Sequence, residues 1–211
     1  MTNPVPVPPV ISDLNEEGFG AVNAFAARTG WLHPLAAGYA VYGAVVFAAL
    51  LLAGWWLARH RQEPVAMAAA LWAPLGTLAA VGLNQVPVTA VAEPRPYAVL
   101  NHPLLLIAPT PDPAFPSDHA VMAGAVAAGL WLVSHRLGAL AAAAALLLAF
   151  DRVYVGAHWP ADVVAGLLEG AIITLVGYLI VRWLLIALVT RLSSTALRPL
   201  LTSAPASPAA R

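Results

Sequence analysis

The 211-residue sequence contains no cysteine and no lysine, and only 9% of its residues are charged. Without cysteine there is no disulfide framework, no thiolate zinc site and no cysteine nucleophile. Without lysine, ten arginines carry all the fixed positive charge, and ten acidic residues balance them to a formal net charge of zero. That balance offers no basic patch for nucleic acid. The shortage of charge also excludes a water-soluble domain. A soluble chain is roughly 25% charged and roughly 45–50% apolar, whereas this one is 61% hydrophobic.

What the sequence has is long apolar runs. Crossing a hydrocarbon core of about 30 Å takes roughly 20 helical residues. Segments near 33–58, 64–86, 117–134, 137–155 and 160–190 reach or approach that length. The last can cross with tilt or extend past the bilayer. The expectation is an all-α polytopic bundle of five to six membrane helices, five by the count of runs. The Ala141–Ala145 run reads as a close-packing face, because small residues let helix backbones approach. Six tryptophans near segment ends (Trp31, Trp55, Trp56, Trp131, Trp159, Trp183) read as interfacial anchors.

Residues 1–12 are Pro-rich and lack the basic start and cleavage site of a signal peptide. From Asp13 to Arg28, Leu14, Phe19, Val22, Phe25 and Ala26 recur at near-helical spacing among polar residues. That pattern predicts a short amphipathic helix lying at the membrane interface. The organisation expected is an N-terminal segment over 1–32, a transmembrane domain over 33–191, and a Ser/Pro/Ala-rich, disordered tail over 192–211.

Arginine placement sets an orientation. Arg59 and Arg61, then Arg136, then Arg182, Arg191, Arg198 and Arg211 fall on one side of a five-span chain. The positive-inside rule makes that side the cytoplasm. Arg28, Arg95 and Arg152 break the bias.

Arg95 and Arg152 lie in the chemically rich stretches. One loop reads EPRPY (Glu93–Tyr97), the third span opens with FPSDH (Phe115–His119), and the fourth ends in DRVYVGAHWPAD (Asp151–Asp162). Two Arg, two His and two Asp thus converge on one membrane face, where ionisable groups default to a functional reading. Ser117 is placed to cap the third span, whose free N–H groups suit an anion. Arg95 and Arg152 offer planar forks for phosphate oxygens. Pro160 fits the first turn of the fifth span. His158 then sits within reach of Asp162, a carboxylate able to fix its tautomer. His119 adds an imidazole that can protonate a leaving oxygen. These parts point to phosphoryl transfer through histidine, with Arg and helix dipoles in the place of a metal. Taken singly, each has a plainer reading: a solvated histidine, a snorkelling arginine, a helix start.

Arg95-Pro96, Pro116-Ser117-Asp118-His119 and Arg152-x5-His158-x3-Asp162 together resemble the three motifs of the type 2 phosphatidic acid phosphatase superfamily, related to the vanadium haloperoxidases. The resemblance implies His158 as the nucleophile that becomes phosphohistidine, Asp162 as its orienter, and His119 as acid and then base. It implies Arg95, Ser117, Asp118 and Arg152 as the phosphate-binding group, and neither metal nor cofactor. The Pro-Ser-Asp-His variant and the N-terminal NEEGFGAVNAFAARTGWLHPLA are similar to the bacitracin-resistance type of undecaprenyl-diphosphate phosphatase. That likeness implies a polyprenyl diphosphate substrate, lipid-carrier recycling for the cell wall and a bacterial plasma-membrane enzyme among membrane lipids, while the arginine bias puts the motif loops on the outward face. The alternatives are a phosphatase for another lipid phosphate, or a non-catalytic transporter or structural membrane protein.

Three departures from the family pattern stand out. Val88 occupies the position of the first motif's usual Lys, leaving Arg95 and Arg152, or amides from Asn84 and Gln85, to neutralise phosphate. Asp118 replaces the commoner Gly, and Asp151 replaces a Ser and is free to pair with an arginine. Glu93, Tyr97, Asp151 and Glu169 are candidates for support around the site, with a structural hydrogen bond the favoured reading of Glu169. The LNHPLLLIA stretch around His102 reads as a loop dipping into the interface toward a lipid tail.

Overall fold

A computed structural model describes residues 9–203 as helices joined by short turns and one long loop, with no strand among the described residues. In chain order they are α1 (Pro9–Arg28), α2 (His33–Arg61), α3 (Pro64–Val91), the single turn α4 (Pro96–Val99), α5 (Asp118–Val133), α6 (His135–Tyr154), α7 (Pro160–Leu192) and the single turn α8 (Arg198–Leu201). Prolines open the helices where the sequence expects them: Pro64 starts α3 and Pro160 starts α7. A missing N–H costs nothing at that position.

The five long runs of the sequence become α2, α3, α5, α6 and α7. Four of these helices are long and apolar enough to cross a membrane, and α5, at 16 residues, is the short one. It would reach only about 24 Å. Its place in the bundle explains the deficit. α5 packs against α3, α6 and α7 together and buries Val121, Val126, Leu130 and Val133. A helix shielded by its neighbours need not match the hydrocarbon thickness by itself. The chain is an integral membrane protein with an all-helical core.

Small residues set the closeness of that core. A side chain at Gly124 would strike the Leu167 carbonyl, and one at Gly170 would strike the Val121 carbonyl. α5 and α7 are thus in backbone contact at two levels. Ala141 and Ala145 are buried against Phe47 and Leu130, so one edge of the alanine run is a packing face.

Three expectations need correction. The tail does not lose structure at 192. Through Ser203 it folds back on α2, where Trp55 Nε1 and Arg59 Nε donate to the carbonyls of Leu200 and Pro199 (3.0 and 2.6 Å) and Ser203 N donates to Arg59 O (3.1 Å). The rest of the expected tail (204–211), like most of the Pro-rich start (1–8), lies outside the described residues. Trp159 is not an interfacial anchor. It is buried, edge-on to Phe19 at 5.4 Å, and its Nε1 donates to Pro94 O at 2.9 Å. Finally, Leu104, Leu106 and Ile107 pack on Ala26, Tyr154 and Val155 rather than reaching outward.

Candidate active site

Four segments meet at one end of the bundle: the α3–α4 loop, the first turn of α5, the end of α6, and the loop leading into α7. Gly156 makes the last turn possible. Its φ of +82° is a glycine conformation, and a Cβ there would strike the Leu104 carbonyl. The chain then runs straight into Pro160, so His158 and Asp162 face each other across the helix start.

The His158 ring is 2% exposed. Nδ1 lies 2.9 Å from Ala114 O and 3.3 Å from Asp162 Oδ2, both acceptors. Nδ1 therefore carries the hydrogen, and the lone pair resides on Nε2. Arg95 Nη1 donates to that Nε2 at 3.1 Å and to Ala157 O at 3.1 Å, while Nε donates to Asp112 O at 2.8 Å. Burial, and then the charges of Arg152 and Arg95, push His158 well below the usual histidine value. The result is a neutral imidazole with its nucleophilic nitrogen beside a guanidinium. Asp162 Oδ2 also accepts the Trp159 N–H at 2.8 Å, which locks the carboxylate.

Around this pair lie the groups that the sequence offers for binding an anion. Ser117 N donates to Asp162 O at 3.2 Å, which seats the start of α5 against α7. Ser117 occupies the N-cap position as expected, but its hydroxyl makes no capping bond. The hydroxyl and Arg152 Nε are both buried and without a hydrogen-bond partner among the described residues. Buried donors left unmatched by protein are costly unless a ligand uses them. Arg152 is 5% exposed, and its Nη1 reaches Ala40 O at 3.4 Å. His119, on the first turn of α5, lies close enough to His158, Arg95 and Arg152 to interact with them electrostatically.

The remaining candidates divide. The Glu93 carboxyl lies beside that of Asp162, close enough for the two to influence each other's charge. Tyr97 clamps the loop, donating to Thr110 O (2.8 Å) and accepting Thr110 N–H (3.0 Å). The Asp118 carboxylate accepts from Asn84 Nδ2 (2.6 Å) and Gln85 Nε2 (3.2 Å), so those amides hold it rather than replace the missing Lys. Asp118 can offer phosphate only its backbone N–H. Asp151 pairs with no arginine among the described residues. It faces an apolar cavity of about 270 Å³ between α2 and α6, lined also by Tyr39, Leu147 and Tyr154. Glu169 is partly buried, makes no hydrogen bond among the described residues, and stands near Asp118. The favoured structural bond is therefore absent.

Sequence reasoning missed the supports. Asn15 Oδ1 accepts Ala161 N–H, and Asn23 exchanges two hydrogen bonds with Leu104, so α1 docks over the loops of the candidate site. Their eight-residue spacing on one helix face was the available signal. The Ala114 carbonyl carried none.

The sequence pattern of the PAP2 superfamily matches residues 69–186, a stretch that contains all of these motif residues. The chain belongs to the PAP2 superfamily. Undecaprenyl-diphosphatase BcrC of Bacillus subtilis is 28% identical over 170 residues, 81% of this chain and 84% of that protein. The undecaprenyl-diphosphatase of Sulfolobus acidocaldarius is 39% identical over 94 residues, which span 44% of this chain and 45% of that protein. Among solved structures, a transmembrane PAP2 type phosphatidylglycerolphosphate phosphatase from Bacillus subtilis superposes with a TM-score of 0.59 at 21% identity, over 76% of this chain and 83% of that one. The membership supports the expected fold class, and the likeness to that structure concerns the fold alone.

Proposed function

We propose that this PAP2 protein hydrolyses a polyprenyl diphosphate, undecaprenyl diphosphate in particular, to the monophosphate, recycling a lipid carrier for cell-wall synthesis at the outer face of a bacterial plasma membrane. The observation that carries the reaction is the His158 tautomer: Nδ1 is held by Ala114 O and Asp162, and the lone pair on Nε2 accepts an Arg95 N–H that a bound phosphate oxygen can draw away before attack. Relatives named undecaprenyl-diphosphatase support the substrate.

In this reading Arg95, Arg152, the Ser117 hydroxyl and the N–H groups opening α5 hold the terminal phosphate. His158 Nε2 bonds to phosphorus while the bond to the bridging oxygen breaks. His119 gives that oxygen a proton, and the lipid monophosphate leaves. The now neutral His119 takes a proton from water, whose oxygen attacks phosphohistidine and releases inorganic phosphate. Charge stabilisation comes from guanidiniums and helix N–H groups aimed at the transferred phosphoryl. Asp162 holds the imidazolium character that develops on His158.

Phosphate release by the purified protein tests the reading, with undecaprenyl diphosphate, phosphatidic acid and phosphatidylglycerol phosphate offered in parallel. The expected result is preference for the diphosphate, unaffected by EDTA and inhibited by vanadate. Hydrolysis of phosphatidic acid without hydrolysis of the diphosphate would overturn the substrate. Loss of activity on chelation, restored by a divalent ion, would overturn the mechanism.

A further inference from the structure

Asp162 has two oxygens with different surroundings. Oδ2 accepts from Trp159 N and His158 Nδ1. Oδ1 is buried in a residue with no exposure and receives no N–H or hydroxyl from the described residues. What stands against this carboxyl is another carboxyl, that of Glu93. The contact is built in. Ala114 N donates to Glu93 O (2.7 Å), Trp159 Nε1 donates to Pro94 O (2.9 Å), and Arg95 reaches Ala157 O (3.1 Å), so the 93–95 segment is stapled along the start of α7. Two ionised carboxylates side by side repel and leave the buried oxygen unmatched. One proton between them removes both costs.

We propose that Glu93 is a positioning residue that stays protonated and donates its O–H to Asp162 Oδ1, keeping Asp162 ionised and aimed at His158. The proton sits on Glu93 because Asp162 already receives two N–H donors, each favouring its charged form, whereas no N–H or hydroxyl of the described residues donates to the Glu93 carboxyl. The charged and titratable groups facing the pair are Arg95 on the same loop and His158 on the loop into α7. Arg152 on α6 and His119 on α5 face His158 one layer further. Arg95 favours one negative charge on the pair. The pair titrates as a unit. At high pH the shared proton is lost, the carboxylates separate, and Asp162 releases the imidazole.

This inference rests on the histidine-nucleophile reading, and its test has an arm that does not. In the full-length protein, infrared absorption at neutral pH should contain a protonated-carboxyl band that Glu93→Gln removes, whatever lipid is hydrolysed. In turnover on the best-hydrolysed lipid phosphate, Glu93→Gln, whose amide still donates, should retain most of the wild-type kcat. Glu93→Ala should lose roughly 10- to 100-fold in kcat with little change in KM. An unchanged carboxyl band in Glu93→Gln, or a Glu93→Ala variant as active as wild type, would each overturn the assignment. Should Glu93→Ala fail to fold, Glu93→Gln decides alone, and a tenfold or greater loss of kcat there would count against the proposal.

Discussion

In the proposed reaction His158 has two roles, a reacting atom and a packed side chain. The sequence places it in a loop, where truncation to Ala should leave folding untouched. Its burial and the Nδ1 bond to Ala114 O make truncation costly to stability as well as to turnover. His158→Gln, which keeps volume and polarity, is the cleaner variant, and it should be inactive yet folded in a phosphate-release assay. Asp162→Asn should lower kcat by orders of magnitude, because a neutral amide does not stabilise the imidazolium character that develops on His158, even though Ala114 O still holds the Nδ1–H tautomer. Acid sensitivity follows from the same burial. The folded state holds His158 well below the ordinary value of about 6.5, so below about pH 6.5 the unfolded chain binds a proton that the folded chain refuses. Stability is full above that pH and falls as pH drops toward the folded value. Thermal unfolding in detergent at several pH values should show this loss in wild type, and a smaller one in His158→Gln.

Among the elements, α5 and α7 are the pair on which the site depends. α5 brings Ser117 and His119, α7 brings Asp162, and the backbone contacts at Gly124 and Gly170 set the distance between them. Gly170→Ala puts a methyl group against the Val121 carbonyl, where no flexible side chain can yield. The helices must part, at a cost of about 1–3 kcal/mol, and Ser117 must move away from Asp162. A lower melting temperature together with a lower kcat is expected. Gly82→Ala is the control, since nothing lies within 4 Å of its added Cβ and helix propensity favours alanine by up to about 1 kcal/mol. If the two substitutions behave alike, backbone contact is not what holds α5 to α7.

At the scale of the whole molecule, the bundle has a catalytic end and an arginine end. Arg61 Nη1 donates to Val133 O at the C-terminus of α5, and Arg59 meets the returning tail. Arg191 closes α7 at that end. The orientation proposed above, with the candidate site outward, is the one the positive-inside rule favours. The absence of native cysteine allows a direct measurement. Ala114 is wholly buried and useless as a label site, whereas Ala108 and Gln62 are exposed at opposite ends. An impermeant thiol reagent on intact cells should label Ala108→Cys and miss Gln62→Cys. The reverse would put the site in the cytoplasm and make a biosynthetic lipid phosphate the substrate.

Helix number and type were legible because apolar runs and helix-starting prolines are local properties of the chain. The motif residues were legible because a charge-poor sequence leaves few polar groups, and Asp162, four residues after His158 on a Pro-started helix, has little freedom to be elsewhere. Tertiary structure alone decided which atoms those groups meet. The sequence offered Asn84 and Gln85 as phosphate donors, and folding turned both toward Asp118. It offered Asp151 an arginine, and the pitch of α6 turned that carboxyl to an apolar cavity instead. Trp159 looked like a membrane anchor until α1 brought Phe19 over it. Glu93 meets Asp162 across 69 positions of sequence. Local pattern fixes helices because their hydrogen bonds close within a few residues, whereas side-chain partners depend on packing contacts that no local pattern encodes.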